Sequence, residues 1–526
     1  MRSVLSSPRL HAALPWLLPL IVTVIAGVLR FWNLGHPQAL IFDETYYVKD
    51  AFSLWHLGYE GKWPADVDGK FARGETNLFL ADPAYVVHPP LGKWLIGLGM
   101  ALFGASDAFW WRATTALCGT LAVVLIMLLA RTLFKSQSIA LLAGLLFAID
   151  GNAIVMSRVA LLDNWVMFFG LLGVWFIVLD RERHRALLDQ RLFVGDLNGT
   201  PQRRSLFGPT VWVRPWVIAA GAAFGAACAV KWSGLWFVAG FGIYLVVVDL
   251  LERRRQGISG WFVGGILKQA PATFLNLVPV AFVVYLTSWT GWFVTAGGYN
   301  RQWAEQSGHA ATGFWAWVPH SLQSLWDFHQ QAYRFHVGLS SPHPAASDPL
   351  GWLIMFHPTN MYYSDKATGC GATPCVETIY GVGNPIIWWV AAIALIFAII
   401  WFIRDRDWRL GLVLAGLAVT YLPWELNALP HQLSVLGLGP AVPARTVFQF
   451  YSIVFEPFTL LALAYLLRRI VPSRTAHPEL FGPRVMLFTA VLMLFVIVSA
   501  FFYPIWSAMP LTTGWRTVHF WLPSWN

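Results

Sequence analysis

The sequence predicts an all-α polytopic membrane protein. Of its 526 residues, 57% are hydrophobic and only 12% are charged, and the apolar residues gather in long runs. A soluble domain carries about 25% charged residues, so disorder, a coiled coil and a soluble multidomain protein are all excluded. The formal net charge of +9 would suit nucleic acid only with a basic patch on a soluble domain. None is apparent, so nucleic acid is not an expected partner.

A helix needs roughly 20 apolar residues to cross the hydrocarbon layer. The first such run, Ala12 to Trp32, follows Arg2 and Arg9. It lacks a small-residue cleavage site and reads as a retained span that starts inside. Residues 33–90 hold no run long enough to span, and Trp94 to Phe103 suggests a helix on or dipping into the surface. Phe109 to Ala130 is a full span. The stretch Ile139 to Asp180 is too long for one helix, and Asp150, Asn152 and Arg158 divide it into two. Lys231 likewise divides Trp216 to Leu251. Further spans are expected near Gln269–Trp292, Pro385–Ile403, Leu410–Pro423, Thr446–Leu467 and Val485–Phe502.

This gives about 11 transmembrane helices, with the N-terminus cytoplasmic and the C-terminus extracytoplasmic. The positive-inside rule supports the parity: Arg181–Arg185, Arg203–Arg204, Arg253–Arg255, Arg404–Arg406 and Arg468–Arg469 all fall on one side. The excess positive charge is thus mostly an orientation signal. The chain reads as one membrane domain, 1–526, with a first extracytoplasmic loop at 33–108 and a second at 293–384. The C-terminal helices occupy 385–526. No Walker-type loop and no G-x-G-x-x-G turn is present, so the chemistry belongs on the outer face of the plasma membrane.

Candidate residues follow from charge at depth. Asp43 and Glu44 are adjacent carboxylates just after the first span. One such group can accept a proton from an attacking hydroxyl and its neighbour can orient that group, although acidic residues also suit a helix start. The run His88-Pro89-Pro90-Leu91-Gly92-Lys93 sets Lys93 at headgroup depth, where an ammonium can meet a phosphate or simply snorkel. Arg112, Arg158, Lys231 and Arg445 are cations where a stray charge is costly, and Arg158 could pair with Asp163. Several cations on the outer side would suit an anionic lipid headgroup. His329 and His336, seven apart, could share a helix face, but no metal-ligand spacing appears. Cys370 and Cys375 could close a short disulfide loop in an oxidising compartment.

In order along the chain, these pieces resemble the protein O-mannosyltransferases of the GT-C superfamily. Arg30 with Phe42-Asp43-Glu44 is similar to the family's first-loop signature, and His88–Lys93 to its next motif. Arg112, Leu161-Leu162-Asp163 and Lys231-Trp232-Ser233-Gly234 follow, then His343-Pro344-Ala345-Ala346-Ser347 with Trp352. The late family motif departs: its His pair is missing from Arg445-Thr446-Val447-Phe448-Gln449-Phe450-Tyr451. The second loop has no room for a β-trefoil insert, as in the shorter actinobacterial branch.

The resemblance implies a GT-C fold and transfer of mannose, with inversion, from a polyprenyl-phosphate-mannose donor to Ser/Thr hydroxyls of exported proteins. It makes Asp43 the base, Glu44 its orienting neighbour and Arg30 their support. Arg112 enters by motif, and Lys93, Lys231 and Arg445 by depth and charge, as cations for the leaving phosphate. His88, Asp163 and His343, inside matching motifs, complete the substrate-binding set. No metal ligand and no cofactor is indicated. Membrane lipids are partners, with the secretion channel a further candidate. Rival readings are a GT-C transferase with a lipid or glycan acceptor, and a secondary transporter. The transporter predicts inverted repeats, and none is evident.

Overall fold

A computed structural model describes residues 8–192, 206–371, 373–472, 475 and 477–526. Arg2 and Arg203–Arg204 lie outside the described residues. Helices of eight or more residues are numbered in chain order. They are α1 Pro8–Phe31, α2 Glu44–Leu57, α3 Leu91–Phe103, α4 Ala108–Phe134, α5 Gln137–Ile149, α6 Gly151–Arg158, α7 Asp163–Leu192 and α8 Pro215–Val230. There follow α9 Leu235–Arg255, α10 Ala270–Ser288, α11 His320–Gly338, α12 Pro385–Asp405, α13 Trp408–Val435, α14 Glu456–Ile470 and α15 Pro478–Trp506.

Among the described residues, eight helices are long and apolar enough to cross a membrane, and the bent pair α5–α6 makes nine. Each expected span overlaps a helix, but the expected count of about 11 is not reached by length: α8 and α14, at 16 and 15 residues, fall short of a full crossing. The span expected at Thr446–Leu467 begins late, because Pro457 sits in the first turn of α14. A helix continuing back through Pro457 would lose a hydrogen bond and clash with the preceding turn. That stretch is instead a loop and a 3-10 turn, Gln449–Val454.

Polar caps place the breaks. Asp107, Ser136, Asn384 and Asp407 each accept backbone N–H groups at the start of α4, α5, α12 and α13. Asp150 does the same for α6, where the pair α5–α6 bends by 59°. α8 packs against α10 through Gly221 and Gly225, where an added Cβ would lie 2.6 and 2.5 Å from the Leu277 and Ala281 carbonyl oxygens. Such small-residue faces let helices approach closely in a membrane. Arg214, just before α8, is buried between Asp180 of α7 and Asp249 of α9 and ties the start of α8 to both helices.

The loop at 33–108 contains α2 and α3. The loop at 293–384 contains α11 and a hairpin, β1 Thr359–Ala367 and β2 Cys375–Gly381. Cys370 and Cys375 form a disulfide at the hairpin turn. A third strand, β3 Leu511–Thr512, comes from the chain after α15 and pairs with β2. The C-terminal tail and the second loop therefore lie on one side.

Candidate active site

The turn between α1 and α2 is built around Glu44. Glu44 is fully buried and forms a bidentate pair with Arg112 of α4, at 2.8 and 2.9 Å. Its two oxygens also accept the backbone N–H groups of Ile41 and Ala160. Arg112 donates its remaining hydrogens to the carbonyls of Leu34, Pro37 and Ala39. A guanidinium has five donors, and here all five are engaged. Glu44 and Arg112 are thus a clamp on the loop, with no donor left over for a phosphate.

Asp43 is presented by that clamp and is half-buried. Tyr47, one turn along α2, hydrogen-bonds its carboxyl group. Burial pushes Asp43 up to about 6, against the pull of the Lys231 ammonium; Asp163 adds to the rise and Tyr47 resists it. Lys231 in turn donates to both oxygens of Asp163, at 2.9 and 3.1 Å. Its ammonium sits 4.1 Å from the centre of the Tyr451 ring. Asp163 is therefore the partner of Lys231. Arg158 instead donates to the carbonyls of Arg30 and Trp32 at the end of α1.

Beside Lys231 opens a cavity of about 590 Å³. His88, Lys231, Trp232, His336, Arg445 and Tyr451 are among its walls. His88 and His336 stack at 5.2 Å, and burial and the nearby Lys231 push His88 well below the usual imidazole range, so it is neutral. Arg445 has no ion-pair partner among the described residues; its buried Nε has no hydrogen-bond partner, and its guanidinium lies 5.5 Å over Trp424. An apolar cavity of about 720 Å³ adjoins this one, sharing Trp232 and Tyr333 and reaching Leu235, Val278 and Phe282.

Of the expected site residues, His88, Lys231 and Arg445 line the cavity; Asp43, Glu44, Arg112 and Asp163 do not, and neither do Lys93, Arg30 and His343. Lys93 is buried and pairs with Glu60, near Asp50, which burial raises to about 7. Arg30 is buried and holds Ser157 and the carbonyls of Phe147 and Ala148, without touching Asp43 or Glu44. His343 is exposed and packs edge-on against Phe448 at 5.1 Å. Sequence reasoning gave no role to Tyr47, Trp232 or Tyr451, although each stands in or one turn from a quoted motif. No group of three or more His, Cys, Asp or Glu among the described residues could hold a metal.

Comparison with known proteins decides the family. The chain is 33% identical to a polyprenol-phosphate-mannose–protein mannosyltransferase of Mycolicibacterium smegmatis, covering 98% of this chain and 94% of the relative. The chain belongs to the protein O-mannosyltransferase family. A second relative in that family, from Mycobacterium tuberculosis, is 30% identical over 97% of this chain and 92% of its own. Residues 87–195 match the family described as dolichyl-phosphate-mannose-protein mannosyltransferase. Residues 321–427 match the C-terminal four-span region of protein O-mannosyltransferase. In fold, the chain is similar to the S. cerevisiae protein O-mannosyltransferase Pmt1–Pmt2 complex bound to the sugar donor. The TM-score is 0.67 at 16% identity, over 97% of this chain and 92% of that one. As a protein O-mannosyltransferase the chain is a membrane glycosyltransferase.

Proposed function

We propose that this chain transfers mannose from polyprenyl-phosphate mannose to Ser/Thr hydroxyls of exported proteins, with inversion, at the outer face of the plasma membrane. The short basic loops support an N-terminus inside and an active site outside. In the reaction the acceptor oxygen bonds to the anomeric carbon as its bond to the phosphate oxygen breaks. Asp43 takes the hydroxyl proton, and the electron pair leaves with the phosphate. Its raised pKa suits a base poised near neutral pH.

Lys231 and Arg445 receive the phosphate. Preorganised cations aimed at charge that grows in the transition state act strongly in a water-poor site. Asp163 holds the Lys231 ammonium in place, and neutral His88 can donate one hydrogen bond to a sugar or phosphate oxygen. The adjoining apolar cavity fits the first isoprene units. Lys93, Arg112 and Arg30 act through the scaffold. The observation that carries this reading is Arg445: a guanidinium with no ion-pair partner among the described residues, in the same cavity as Lys231, whose ammonium also acts on Asp43.

The test is an assay in membranes with radiolabelled polyprenyl-phosphate mannose and a Ser/Thr-rich exported peptide. Asp43→Asn is expected to lower transfer by about 10²- to 10⁴-fold at normal expression. Full activity in that variant removes Asp43 as base. Label appearing in lipid or glycan, with none in peptide, moves the acceptor to the rival class.

A further inference from the structure

Phe42 precedes the base and holds φ at +49°, a left-handed conformation rarely adopted by bulky residues. Three rings enclose it, all nearly perpendicular to it: Phe450 at 5.5 Å, Phe448 at 5.8 Å and His343 at 6.1 Å. Edge-to-face contacts of this kind are favourable and directional. On the other side of the turn, the Ile41 N–H is held by Glu44 at 3.1 Å.

We infer that Phe42, His343, Phe448 and Phe450 form an aromatic clamp that positions the Asp43 turn. This rests on the base role proposed for Asp43. The Glu44–Arg112 pair fixes one flank of Asp43 and the rings fix the other, so the carboxylate is aimed from a backbone held at both ends. The clamp is a unit of its own. The His343 turn and the late segment are joined by a β-bridge, Ala346 to Phe448, and by the Ser347 N–H to the Val447 carbonyl at 2.9 Å.

The late segment also carries Tyr451, whose ring lies under the Lys231 ammonium, and Arg445, in the cavity wall. One short stretch thus aligns the base turn with the cations. In that same stretch Phe450 supplies a ring against Phe42.

The experiment measures kcat and KM for polyprenyl-phosphate mannose and a Ser/Thr peptide on full-length protein in detergent. The variants are Phe450→Ala, Phe450→Leu and Phe450→Tyr, each normalised to the folded fraction by gel filtration. Phe450→Leu and Phe450→Tyr keep the site filled if Phe450→Ala does not fold. A small misplacement of a catalytic group costs on the order of 10²-fold. Phe450→Leu is therefore expected to lose kcat on that order with donor KM nearly unchanged, while Phe450→Tyr recovers most of it. Wild-type kcat in Phe450→Leu, recovery by Leu as full as by Tyr, or a loss carried by donor KM overturns the clamp. Wild-type protein inactive with this donor overturns the functional reading instead.

Discussion

Asp43 and Glu44 are neighbours in sequence with opposite environments. Both are legible as a carboxylate pair after a span, and the family resemblance names Asp43 as the base, but the residues alone do not say which one is free. Arg112 decides it, from 68 residues away, by spending all its donors on Glu44 and the loop carbonyls. Removing one partner of a buried ion pair leaves an uncompensated charge and costs about 3–5 kcal/mol. Arg112→Ala should therefore lower the thermal midpoint in detergent sharply. A normal midpoint with a raised donor KM would return Arg112 to the phosphate. The pH profile separates Asp43 in the same way. Its pKa is raised to about 6 by burial, and a base works only when ionised. Transfer should be full above that value and fall as pH drops through about 6; a rate flat down to pH 4, near the usual carboxylate value, would contradict it.

Helices carry their own instructions where the reason is local. Asp107, Ser136, Asn384 and Asp407 mark starts as N-caps, and Pro457 sets where α14 begins. The break at Asp150 was visible because a buried carboxylate interrupts an apolar run. What α8 packs against was not visible, since Gly221 and Gly225 say only that something comes close. The backbone of α10 is what comes close. Gly225→Leu should disrupt that contact and lower folded yield in detergent, whereas Gly257→Ala, at a site with no neighbour within 4 Å but a positive φ, should cost about 1 kcal/mol. Equal losses for the two would argue against close packing of α8 on α10.

At the scale of the whole molecule, the strand pairing of β3 with β2 ties the tail after α15 to the second loop. The tail and the second loop therefore share one side of the membrane. A membrane-impermeable label should reach a cysteine placed at Asn526 in intact cells and miss one placed at Arg404; the reverse pattern would invert the topology. Membrane character, the break points, the sidedness of the charge and the family resemblance are properties of apolar run length, capping and charge placement, all of them local and hence written along the chain. The assignment of partners is different. Asp163 to Lys231, Glu44 to Arg112, Lys93 to Glu60 and Phe42 to Phe450 are contacts between distant segments, each chosen by burial in low dielectric, where an ionised group or a polar turn must find its partner in space. Only the tertiary structure decided which of the expected cations hold the scaffold and which face the cavity.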